Sequence, residues 1–150
     1  MTKLEKLIDY AHQKNIDVYD TYSQSERKGA CIACGIGSMI AINRRIVEDM
    51  PDKLCTFAEE IGHIETKAML PVADYIHPAI NRQNKLKNEA KAMQFSFWAI
   101  LPPHEIQSAL DDGCTCDEQI AEFCEVKPQF VREAVEYYAT KGYTFVSDCA

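Results

Sequence analysis

The sequence predicts an α+β fold that is mostly helical, with a small antiparallel sheet in its first half and a helical module at its C-terminal end. Apolar residues recur at helical spacing over most of the chain. Two short apolar runs joined by a glycine-bearing loop lie between residues 30 and 42. With 150 residues, 47% of them hydrophobic, the chain is long enough to bury a core within one folded unit.

The first elements are a helix and a hairpin. The apolar stripe of an amphipathic helix that ends near residues 14–15 is formed by Leu4, Leu7, Ile8 and Ala11. Residues 16–22 alternate only weakly between apolar and polar side chains. The apolar runs 30–34 and 38–42, separated by Gly35-Ile36-Gly37, predict an antiparallel β-hairpin.

Two longer helices are predicted next. The first spans about residues 52–66, with Asp49 or Asp52 as its cap and Pro51 in its first turn. Its apolar residues keep helical spacing: Leu54, Phe57, Ala58, Ile61 and Ile64. Residues 67–84 contain two prolines and little periodicity, which predicts an irregular loop. The second long helix covers about residues 85–101 and stops at a pair of prolines.

The C-terminal part predicts two or three short helices with breaks at residues 111–113 and 126–128. Ala121, Val126 and Val131 have the spacing of a helix-turn-helix core, a pattern that packs two helices without requiring DNA contact. We therefore expect a core at residues 1–103 and a helical module at residues 104–150 that packs on it.

Charge argues against nucleic acid and anionic membranes as direct partners, since both attract clustered Lys and Arg. The net charge of the chain is −7, and residues 105–138 hold nine acidic residues against Lys127 and Arg132. This acidic module suits a basic protein partner instead. The longest uncharged runs are too short to span a bilayer, so we expect a cytoplasmic protein.

The seven cysteines are an odd number in a chain that needs no disulfide staples, which favours reduced thiols. Cys31 and Cys34 are interpreted as packing residues of the hairpin, because no second pair follows at the spacing of a zinc ribbon. Cys114 and Cys116 lie in a turn without a nearby histidine. His12 and His104 are interpreted as surface residues.

The candidate chemistry lies in the segment Glu59-Glu60-Ile61-Gly62-His63. Residues four apart project from one face of a helix, so Glu59 and His63 could hold one metal ion with Glu60 beside it. The spacing is that of H-E-x-x-H, in which two histidines bind zinc and the glutamate takes a proton from the attacking water. Here Glu59 replaces the first histidine, and an ordinary charged helix face is the alternative interpretation.

Three features favour the metal site over a charged surface. Gly62 allows a neighbouring chain segment to approach closely, and the flanking residues Phe57, Ala58 and Ile61 are apolar. Glu89 supplies a third ligand from the following helix, as a site of the two-histidine, one-glutamate type requires.

With these residues the chain resembles the ImmA/IrrE metallopeptidases of phages and mobile elements, over nearly its whole length. The matching segments are Ile40-Ala41-Ile42-Asn43, Ala58-Glu59-Glu60-Ile61-Gly62-His63, and Glu89 to Pro102 with Ala92 and Phe95 in register. The glutamate in place of histidine looks like a variant of phage-borne members from Gram-positive bacteria.

The resemblance implies a zincin-like domain in which Glu59, His63 and Glu89 bind zinc, or another divalent metal, and Glu60 is the general base. It also implies a protein substrate, a helix-turn-helix transcriptional repressor whose cleavage relieves repression. Tyr75 and His77, in the loop between the ligand helices, are candidate donors to the transition state.

The ligand set predicts a weak catalyst. Zinc with two neutral histidines and one glutamate keeps a net charge of +1, whereas two glutamates and one histidine bring it to 0, and a less positive centre acidifies water less. Slow cleavage of one protein target is therefore expected. The alternatives are an inactive regulatory partner of such a repressor and, third, DNA binding through residues 114–138.

Overall fold

The computed structural model describes residues 1–34, 36–68 and 78–146, without the side chains of residue 34 and residues 78–81. This part of the chain is α+β, with six helices and one three-stranded mixed sheet. The elements in chain order are α1 (Lys3–Gln13), β1 (Ile16–Thr21), β2 (Gly29–Cys34), β3 (Gly37–Asn43), α2 (Met50–Glu65), α3 (Pro78–Ile100), α4 (Pro103–Asp111), α5 (Asp117–Cys124) and α6 (Pro128–Thr140).

The sheet has the strand order β1-β3-β2. Strands β2 and β3 pair antiparallel, with Cys31 opposite Ile40, so the predicted hairpin is confirmed. Strand β1 pairs parallel to β3, with Val18 opposite Ile40. The prediction of a purely antiparallel sheet was therefore incomplete, because the alternation of a strand does not encode the direction in which it pairs.

Helix α2 begins close to its predicted position and resolves the choice of cap. The side chain of Asp49 accepts a hydrogen bond from the backbone N–H of Asp52 at 2.5 Å, and Pro51 lies in the first turn. A carboxylate at this position satisfies one of the N–H groups that a helix start leaves unpaired.

Helix α3 starts earlier than predicted, at Pro78, so the predicted irregular loop was wrong for residues 78–84. A proline in the first turn costs a helix little, because the N–H it lacks would have no partner there. The exposed polar residues of the first turns, such as Arg82, Gln83 and Lys85, bury no apolar stripe and therefore gave no periodic signal.

The hydrophobic core is one cluster with members from α1 to α6. The predicted breaks are present, and Ala121, Val126 and Val131 are all buried. The hydroxyl of the fully buried Tyr138 on α6 donates to the backbone carbonyl of Leu101 at 3.1 Å. Helices α4–α6 therefore pack on the same core as the sheet. Within the described residues, no helix has both the length and the hydropathy that crossing a bilayer requires.

A buried carboxylate connects three parts of the fold. Asp52 on α2 accepts hydrogen bonds from Lys28, which precedes β2, at 2.6 Å and from Lys127, the residue before α6, at 2.8 Å. Its side chain is only 9% exposed, whereas the two lysines are 41% and 37% exposed. Asp52 therefore ties the sheet and the C-terminal helices to α2.

Replacing Asp52 with Asn should lower the free energy of unfolding by about 1–3 kcal/mol at neutral pH, a range reduced from that of a fully buried pair because both lysines are partly exposed. Burial opposes ionisation of Asp52, but the hydrogen bonds from Lys127 and Lys28 outweigh it and lower the pKa of the carboxyl. A depressed folded-state pKa stabilises the fold above the unfolded value of about 4 and loses that effect as the pH falls through the folded value.

Urea unfolding at pH 7 and at pH 3 tests this expectation, with Asp9→Asn, an exposed aspartate on α1, as the matched control. The stability gap between wild type and Asp52→Asn should narrow at the acidic pH. An equal gap at both pH values would show that ionisation of Asp52 contributes nothing.

Candidate metal centre

Helices α2 and α3 touch backbone to backbone where Gly62 meets Ala92. A Cβ atom on Gly62 would lie 2.4 Å from the carbonyl oxygen of Ala92, a distance that real Cβ contacts do not reach. Ala92 is fully buried, and its carbonyl also accepts a hydrogen bond from Ser96 Oγ at 2.9 Å. The predicted role of Gly62 in close approach is therefore confirmed.

The variant Gly62→Ala should be less stable than wild type by about 1–3 kcal/mol, the usual cost of overpacking. Helix propensity alone predicts the opposite sign, since alanine is favoured over glycine in a helix by about 1 kcal/mol. Denaturant unfolding measures which effect dominates. Adding Ala92→Gly should not restore stability, because the clash is with a backbone carbonyl; full restoration would contradict the proposed contact.

This close crossing places the predicted ligands together. One ligand atom each from Glu59, His63 and Glu89 lies within 4.8 Å of the others, and all three residues are partly buried. His63 Nε2 is 3.4 Å from Glu89 Oε2. Two ligand atoms of a tetrahedral zinc ion at about 2.1 Å are roughly 3.4 Å apart, so this pair is already at ligand spacing. The other pairs are within reach of a side-chain rotation.

The imidazole of His63 is oriented by the end of its own helix. Its Nδ1 lies 3.2 Å from the backbone carbonyl of Ala68, which is buried. A carbonyl only accepts, so Nδ1 donates its proton, and Nε2 is the nitrogen left to bind a metal. Sequence reasoning missed Ala68, because any residue type supplies a backbone carbonyl.

The electrostatics of the site favour a cation. Burial raises the pKa of Glu59, and the neighbouring carboxylates of Glu60 and Glu89 raise it further. Burial also raises the pKa of Glu60. Three carboxylates around one histidine repel one another, and a divalent ion would offset that repulsion. The mixed nitrogen and oxygen donor set fits zinc and does not exclude manganese or iron.

No family model, curated protein or solved structure matches this chain. Membership of the ImmA/IrrE family therefore remains a prediction from the motifs.

Glu60 points toward the sheet, where β2 passes close to it. A Cβ atom on Gly29 would lie 2.9 Å from Glu60 Oε1. The thiol of Cys31, two residues along the strand, donates a hydrogen bond to the Glu60 carboxylate. Cys31 packs against the core as predicted, but its contact with the predicted general base was missed. The period of two along β2 was the available signal, since it places both residues on one face.

The remaining predicted residues have different outcomes. Tyr75 and His77 lie outside the described residues. The cysteines whose side chains are described are free thiols, as predicted: Cys31, Cys55, Cys114, Cys116 and Cys124.

Proposed function

We propose that this chain is a zinc-dependent endopeptidase of the cytoplasm that cleaves a helix-turn-helix repressor of a phage or mobile element. The observation that supports an enzyme is the convergence of Glu59, His63 and Glu89, from two helices, within 4.8 Å of one another and with Glu60 adjacent in sequence. The substrate class comes from the family resemblance.

Each residue of the site has a distinct role in this proposal. Zinc, when held by the three ligands, would polarise the scissile carbonyl and acidify the attacking water. Glu60 takes the proton of that water at a carboxylate oxygen and passes it to the leaving amine. Burial raises the pKa of Glu60, which makes its carboxylate a stronger base and its protonated form a usable acid. His63 is held in one tautomer by Ala68.

The test is incubation of the purified protein with the repressor encoded beside it and with zinc, followed by mass spectrometry of the fragments and of the bound metal. Cleavage by the wild type and none by Glu60→Gln is the expected result. Equal repressor integrity in both samples, with no metal bound to the wild type, would exclude a peptidase.

A regulatory partner that binds the repressor without cleaving it is the second candidate. It is favoured by the acidic residues exposed on the C-terminal helices and their connections: Asp111, Asp112, Glu118, Glu122, Glu125 and Glu136. Such a surface suits a basic DNA-binding protein and repels phosphate. This candidate predicts that repressor binding survives His63→Ala and yields no fragments with the wild type.

A further inference from the structure

The side of Glu60 that faces the sheet is fitted to strand β2. Gly29 is the first residue of that strand, and its backbone does not have a positive φ, so its conformation does not require glycine. Its position is nevertheless closed to any larger residue: a Cβ atom would lie 2.8 Å from Thr56 Cγ2, 2.9 Å from Glu60 Oε1 and 3.0 Å from Glu60 Cγ. The absent side chain of Gly29 is therefore the room in which Glu60 lies.

Cys31 occupies the next position on the same face of β2. It is half-buried, packs against the core and donates its thiol proton to the Glu60 carboxylate. Burial, followed by the charge of Glu60, raises the pKa of the Cys31 thiol. The sulfur therefore stays protonated and remains a donor across the pH range of the protein.

We propose that Cys31 is a positioning residue for Glu60, and that Gly29 provides the space in which this contact forms. The inference rests on the proposed peptidase function, in which Glu60 must accept a proton from water. A hydrogen bond from the thiol holds one oxygen of the carboxylate and leaves the other to take that proton. Cys31 keeps its own proton throughout, and it touches neither substrate nor metal.

The effect of losing this contact is expected in turnover. Removing a hydrogen bond to a charged group should lower kcat about tenfold in Cys31→Ala, while KM, zinc content and thermal midpoint stay at wild-type values. Cys31→Ser should recover most of the loss, because its hydroxyl also donates. Gly29→Ala should lower kcat at least as much, because the added methyl group displaces Glu60. Ala30→Val, which adds bulk at an exposed position of the same strand, is the matched control.

The experiment has two arms, so that the contact and the activity are tested separately. Turnover is measured on a quenched fluorescent peptide that spans the cleavage site mapped in the repressor. The contact is measured without any substrate, as the infrared S–H stretching band of Cys31 isolated by subtracting the Cys31→Ser spectrum. In Glu60→Gln this band should shift to higher frequency, because a neutral amide is a weaker acceptor than a carboxylate.

Each outcome decides a different point. A shifted band, a tenfold loss of kcat in Cys31→Ala and its recovery in Cys31→Ser support the proposal. Cleavage with unchanged kcat in Cys31→Ala overturns the positioning role and leaves the peptidase intact. An unshifted band overturns the contact itself. No cleavage by the wild type overturns the peptidase, and the positioning role falls with it, even where the band shifts.

Discussion

Glu60→Gln should abolish repressor cleavage while leaving the metal bound and the fold intact. Glutamine has nearly the shape of glutamate but cannot take a proton from water, and a general base contributes about 10²–10⁴-fold to turnover. Glu60 lies outside the group of three residues that could hold the ion. The loss should therefore appear in kcat, measured on single time courses with the repressor, with zinc content by mass spectrometry unchanged.

The same variant has an expected effect on stability that separates catalysis from folding. Burial raises the pKa of Glu60, and Glu60 in turn raises the pKa of Glu59. A neutral side chain removes this repulsion, so metal-free Glu60→Gln should be at least as stable as metal-free wild type. Glu65→Gln, on the last turn of the same helix, is the matched control and should cleave normally. Cleavage by Glu60→Gln within tenfold of wild type would contradict its role as the base.

Local features of the site followed from the sequence because they depend on residues close in the chain. Glu59 and His63 share a face of α2 through helical geometry alone. Asp49 caps the same helix through a contact across three residues. The fit of Gly62 against a neighbouring segment was also predicted, although the residue it meets, Ala92 on α3, was known only once the structure placed the two helices.

Features that depend on tertiary placement did not follow from the sequence. The parallel pairing of β1 with β3 leaves no mark in either strand. The start of α3 at Pro78 was missed because its first turns are polar and exposed. The contact of Cys31 with Glu60 joins two elements about thirty positions apart, and a half-buried cysteine on a strand has the same pattern whether or not it meets a carboxylate.

His63→Ala should remove zinc binding and, with it, cleavage. His63 is the only nitrogen donor in the group of three, and its Nε2 lies 3.4 Å from Glu89 Oε2. Loss of a residue that merely orients a ligand costs about 10–100-fold in metal affinity, so loss of the ligand itself should cost more than about 100-fold. Competition with a chelating indicator measures that affinity, and His104→Ala, an exposed histidine on α4, is the matched control.

The stability of the protein reports the same loss without any substrate. A ligand at one hundred times its dissociation constant stabilises the folded state by about 2.7 kcal/mol. Zinc should therefore raise the unfolding midpoint of wild type and of Glu60→Gln, since both keep the three ligands, but not that of His63→Ala. The carboxylates of Glu59 and Glu89 repel each other when no cation lies between them, which makes the metal-free wild type the less stable form. An equal rise in His63→Ala would mean that zinc binds elsewhere on the chain.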